Sequence, residues 1–141
     1  MIQNVTSQKN NDELFFKKTV NGLFNDVVQS LNEDLLKSGF GLITEIEMDK
    51  KLNEKLNVNL KPYKILGYCN PKFAYDALQE NNDIGVFLPC KVIVKQLDNS
   101  MVEVVSANPA LLMNMLGNKK LSSMGDEVAA ILKSVIKNLL S

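Results

Sequence analysis

One stretch constrains this chain more than any other. Pro62 to Val94 contains both cysteines, three of the four prolines and all three tyrosines, and its punctuation spells strand, helix, strand. Tyr63 to Tyr68 is a β-favouring run, and Pro62 before it cannot supply a ladder donor, so a strand is predicted from Tyr63 to near Cys69. Asn70 followed by Pro71 is a helix start: the Asn side chain accepts from an otherwise orphaned amide, and Pro lacks the donor that would be orphaned anyway. The helix is predicted to reach about Asn81, burying Ala74, Ala77 and Leu78, with Asn81 or Asn82 left-handed at its end. Gly85 reads as a loop residue. Because a proline inside a strand breaks the ladder, the second strand is placed from Cys90, after Pro89, to Val94.

The flanking sequence supplies support for this unit. Leu14 to Val20 reads as a first strand. From Asn21 to Ser38, Leu23, Phe24, Val27, Val28, Leu31, Leu35 and Leu36 repeat at three and four, which marks one helix face, and Gly39 sits where a C-terminal cap belongs. Phe40 to Ile46 alternates as a strand, with Phe40, Leu42, Thr44 and Ile46 on one side. Lys51 to Leu56 reads as a short helix ended by Asn57. After Val94, a turn at Asp98 to Ser100 returns the chain through Met101 to Ser106 as a hairpin. Asn108-Pro109 repeats the helix-start device, with Leu111, Leu112, Met115 and Leu116 on the apolar side and Gly117 as the stop. Ser123 and Asp126 resemble a capping box, and Val128, Ile131, Leu132, Val135, Ile136 and Leu139 form a wide apolar stripe that should lie against a sheet or a second subunit.

Long helices at both ends of five strands favour an α+β fold over a doubly wound one, although the central strand, helix, strand keeps a parallel pairing open. The chain of 141 residues fits one domain, and a domain of this size needs no staple, because it buries about 70% of its unfolded surface.

What the chain lacks is equally informative. It has no His, no Arg and no Trp, and its formal net charge is zero. Without His there is no Ser-His-Asp or Cys-His activation and no imidazole metal ligand. Without Arg there is no bidentate fork for phosphate. A neutral chain with interspersed charges lacks the footprint of a nucleic-acid or anionic-membrane binder. The polar first 11 residues suggest a frayed tail, and no apolar run approaches the roughly 18 residues of a membrane span, so a cytoplasmic protein is expected. No cofactor motif occurs, and no catalytic one.

The residues from Gly39 to Val94 carry a resemblance. GFGLITEIE, PYKILGYCNP and LPC, in that order, are similar to the blocks of the domain of unknown function (DUF) 302 family, with looser similarity in the flanking helices. The resemblance implies that residues 12–141 form one α+β domain with a mostly antiparallel five-stranded sheet packed against two long helices, a TATA-box-binding-protein-like architecture, often homodimeric. It implies no activity, and the neutral charge and absent Arg argue against DNA binding. Tyr68 departs from the family pattern, where many relatives place a small residue before the Cys, and Glu47-Met48 replaces a common Asp-Val.

Two candidate sites follow. Cys69 precedes the Asn70-Pro71 helix start, whose amides and partial positive charge favour a thiolate. If the strands on either side are antiparallel, as the resemblance implies, Cys90 lies nearby; if parallel, it lies at the other end. The competing view of each Cys is a small buried hydrophobe. Two thiols fall short of a closed zinc set, so a metal site would need further ligands, and none is assigned. The second candidate is an apolar cavity between the Asn21–Ser38 helix and the sheet, edged by Tyr63, Tyr68 and Phe87, residues that otherwise simply fill a core. The leading expectation is a non-enzymatic small-ligand-binding or assembly module. The alternative is thiol-dependent redox or metal handling through Cys69 and Cys90.

Overall fold

The computed structural model describes residues 13–140. The tail expected over residues 1–11 lies outside them. Five strands, β1 (Phe15–Asn21), β2 (Gly41–Glu47), β3 (Tyr63–Cys69), β4 (Cys90–Gln96) and β5 (Met101–Ala107), form one sheet in the order β1-β5-β4-β3-β2. Every pairing is antiparallel, including β3 with β4, which closes the parallel alternative. Five α-helices accompany them: α1 (Phe24–Lys37), α2 (Met48–Leu56), α3 (Pro71–Glu80), α4 (Pro109–Asn114) and α5 (Lys119–Asn138). The result is a single α+β domain.

Strand alternation explains where the core lies. Leu66 and Tyr68, Val92 and Val94, and Val102 and Val104 are fully buried on one sheet face, and residues two apart share a face. They meet Val27, Leu31 and Leu35 of α1 and Val128, Ala129, Leu132 and Ile136 of α5 in one continuous cluster. The stripe on α5 therefore covers the sheet.

Helix ends follow local chemistry. At the end of α1, Gly39 takes φ +90° and donates to Leu36 O at 2.9 Å while Phe40 N reaches Leu35 O at 2.9 Å, the paired bonds of a Schellman motif. Three helices begin on an asparagine. Asn70 accepts from Phe73 N at 3.1 Å, Asn108 from Ala110 N at 3.0 Å and Asn118 from Leu121 N at 3.0 Å.

Several local expectations need correction. The last helix starts at Lys119, not Ser123, because Asn118 caps it. Helix α2 starts at Met48 rather than Lys51. Asn81 is extended (φ −159°) instead of left-handed, and its side chain caps a 3-10 turn, Asn82–Phe87, that takes in Gly85. A register shift between Leu42 and Thr44 breaks the alternation expected in β2. Leu23 and Leu36 of the first apolar repeat are exposed, as are Leu78 and Met115, while α4 buries Pro109, Ala110 and Met113.

Candidate functional site

The strand ends near α3 form a cavity of about 200 Å³ that opens to solvent past the exposed Ile43. Its floor is the end of β3, the start of β4 and the Leu88–Pro89 step between the 3-10 turn and β4. Phe73, Ala74 and Ala77 of α3 form one wall, Pro109 and Met113 of α4 a second, and Leu121, Met124, Gly125 and Val128 of α5 the third. The buried Phe40 also lines it and stacks on Phe73, ring centroids 6.4 Å apart. Small residues make this space: Ala74, Ala77 and Gly125 leave room that larger side chains would fill.

Among the described residues no charged one lines this cavity. Its polar side chains are Tyr68, Cys69, Asn70 and Cys90. The Tyr68 hydroxyl is engaged, donating to Asn32 Oδ1 on α1 at 2.6 Å, and Asn70 Oδ1 is engaged by Phe73 N. Both thiols are free and half-buried. The β3–β4 register pairs Tyr68 with Cys90, so Cys69, one residue on and paired with Gly41 of β2, is offset from Cys90 rather than directly opposite.

Electrostatics hold the buried groups in their neutral forms. Burial pushes the Cys90 thiol up to about 11, the neighbouring Cys69 adds to the rise, and Lys91 pulls the other way. Burial, helped by Glu45, also pushes the Tyr68 phenol well above its ordinary value. An uncharged acid is what a low-dielectric site favours.

The residues singled out from sequence divide. Tyr68, Cys69, Asn70 and Cys90 all line this cavity. Phe87 instead lines an adjoining cavity of about 170 Å³, and Tyr63 lines neither; it sits at the opposite end of β3, about 17 Å from Tyr68 at 3.3–3.4 Å per residue. Nor does the cavity lie under α1: its helical walls are α3, α4 and α5. The cap at Asn118 marks where α5 begins, but that α5 walls the cavity is set by its packing. Among the described residues no group of three or more His, Cys, Asp or Glu is placed to hold a metal ion, and no helix is long and apolar enough to cross a membrane.

A family model described as "Domain of unknown function DUF302" matches residues 16–139. The chain belongs to the DUF302 family. The crystal structure of an uncharacterized conserved DUF302 protein from Bacillus stearothermophilus is similar to this DUF302 chain, with 28% identity and a TM-score of 0.81 over 89% of this chain and 98% of that one. No curated protein matches this DUF302 sequence. The sheet and helices are thus those of the family, and the cavity occupies its strand ends.

Proposed function

We propose that this protein binds small apolar molecules without transforming them, and that the ligand occupies the cavity at the ends of β3 and β4. One observation carries the reading: a cavity of about 200 Å³ whose walls, among the described residues, carry no charged side chain. An apolar cavity of about 150 Å³ already stays dry and admits benzene. The larger space here suits a ligand somewhat bigger than benzene, such as a substituted ring or a short alkyl chain.

The test is titration with 1-aminoanthracene, whose fluorescence rises in an apolar site, together with alkylation of Cys90, which lines the cavity. Saturable binding at one site, loss of that binding in Ala74→Phe with unchanged circular dichroism, and protection of Cys90 by the bound probe are expected. Absence of saturable binding, or binding that Ala74→Phe leaves intact, overturns the reading. A homodimer and a cytoplasmic location belong to the same proposal. Light scattering checks the first, since a mass near 15.7 kDa rather than its double contradicts it, and cell fractionation checks the second.

A thiol-dependent redox or metal-handling role is favoured by a separate observation, two free cysteines on the walls of one cavity. The raised pKa of Cys90 and the one-residue offset count against it. Alkylation rates of Cys69 and Cys90 across pH, read separately by peptide mass spectrometry, decide the matter. Rapid modification of Cys69 with a midpoint well below the ordinary thiol value of about 8.5 moves this role ahead.

A further inference from the structure

The cavity just described and the adjoining one are back to back. Leu88, Pro89, Cys90, Pro109 and Met113 line both, and the second, of about 170 Å³, is otherwise walled by Val86, Phe87, Lys91, Ala107, Leu112 and Leu132. Val86 is 80% exposed and Phe87 40%, so this second space has an open mouth. Met113, with three rotatable bonds, is the adaptable side chain between the two. Together the two adjoining spaces reach the lower end of the roughly 300–1,000 Å³ of ordinary small-molecule sites.

Among the described residues a single side chain across both linings is charged. Lys91, exposed at the second cavity, makes none of the ion pairs found among the described residues, and no Asp or Glu lines either space. One ammonium suits one anionic oxygen pair; the several donors that a phosphate dianion requires are missing.

The geometry points to an apolar monocarboxylate as the ligand class, with its tail in the inner cavity, its chain passing Met113, and its carboxylate at Lys91. This rests on the reading of the inner cavity as a ligand site. It adds a polarity: the anion sits at the exposed Lys91 and the hydrocarbon among the apolar walls. A screened surface lysine contributes modestly, a few-fold in affinity, and the contribution weakens with salt. The chain contributes more, about three- to fourfold per buried methylene.

The test compares decanoate with decanol by isothermal titration calorimetry on the full chain and on Lys91→Met, a surface change that leaves the core untouched. Decanoate binding should weaken about three- to fivefold in K91M and lose its salt dependence, with decanol unchanged. From hexanoate to decanoate the affinity should climb at each methylene. If K91M leaves both ligands unaffected, or weakens both equally, or if affinity stops rising at six carbons, the monocarboxylate assignment is overturned while decanol binding still supports the inner cavity. If neither decanol nor 1-aminoanthracene binds, both readings fall.

Discussion

Gly125 on α5 lies against Met113 on α4 so closely that a Cβ at position 125 would come within 2.7 Å of Met113 Cβ and 3.1 Å of the Pro109 carbonyl oxygen. Helix-interior glycine ordinarily costs about 1 kcal/mol relative to alanine. Gly125→Ala should nevertheless destabilise, because overpacking at a tight contact costs about 1–3 kcal/mol and the first obstacle is a Cβ backed by backbone. Met113→Ala removes the Cγ contact at 2.8 Å but not the Cβ, so the double variant should recover only part of the loss. Urea denaturation of the three variants measures this; a G125A protein as stable as the parent contradicts the contact.

Asn108 is the second such position. It is fully buried, accepts from Ala110 N at 3.0 Å and donates to Glu13 O at 2.9 Å, so one side chain both starts α4 and holds the segment leading into β1. Asn108→Ala removes a cap, worth about 1 kcal/mol, and a buried hydrogen bond whose loss costs about 1–3 kcal/mol more. Asn118→Ala removes a half-buried cap, worth about 1 kcal/mol, and a part-buried bond to Glu80 Oε1 at 3.2 Å that water can replace, so its loss should stay below that of Asn108→Ala. Equal losses in the two variants, measured by urea denaturation, would argue against the tie to Glu13.

A third comparison isolates one contact by pairing two glycines. Gly39 and Gly117 both have positive φ, +90° and +68°, and each should lose about 1 kcal/mol on substitution by alanine from backbone strain alone. A Cβ at Gly117 meets nothing within 4 Å, whereas one at Gly39 meets Asn70 Nδ2 at 2.8 Å. Gly39→Ala should therefore cost more than Gly117→Ala, and the excess should shrink when Asn70 is changed to Ser, a smaller cap residue. Thermal unfolding of the four variants provides the double-mutant cycle.

These contacts explain which parts of the fold were legible. Asn70-Pro71 and Asn108-Pro109 announced their helices because the cap and the proline act locally, and β4 began at Cys90 because Pro89 cannot join a ladder. The start of α5 was hidden: Asn118 is followed by Lys119 and Lys120, cations where the helix dipole favours anions, while Ser123 and Asp126 offered a better local pattern. The face of α4 was hidden as well, since six residues carry little periodicity and Met113 is turned inward by its contact with Gly125. For the site, antiparallel pairing brought Tyr68, Cys69, Asn70 and Cys90 to one end of the sheet. Tyr63 was carried to the other end by strand rise alone, and the helical walls depend on how α4 and α5 pack, a tertiary fact that no spacing encodes.

Alkaline pH tests the burial of Cys90 and Tyr68. Both fold as neutral acids with raised pKa values, Cys90 at about 11. Between the unfolded thiol value of about 8.5 and the folded one, the unfolded chain has released the Cys90 proton while the native chain retains it. The unfolded state then binds fewer protons, so stability falls as pH rises, with a limiting slope of about 1.4 kcal/mol per pH unit. The stabilisation is complete below about pH 8.5 and is lost through pH 11; by pH 10 the loss is at most about 2 kcal/mol, less to the extent that solvent reaches the half-buried thiol. Tyr68 adds its own loss above about pH 10, the ordinary phenol value. Cys90→Ala should flatten the pH 8.5–10 slope. Tyr68→Phe should leave that slope in place, cost about 1 kcal/mol at pH 7 for the hydrogen bond to Asn32, and relieve the decline only above pH 10. Urea denaturation from pH 7 to 11 separates the two, and a Cys90→Ala protein that keeps the parent's slope below pH 10 removes Cys90 as its source.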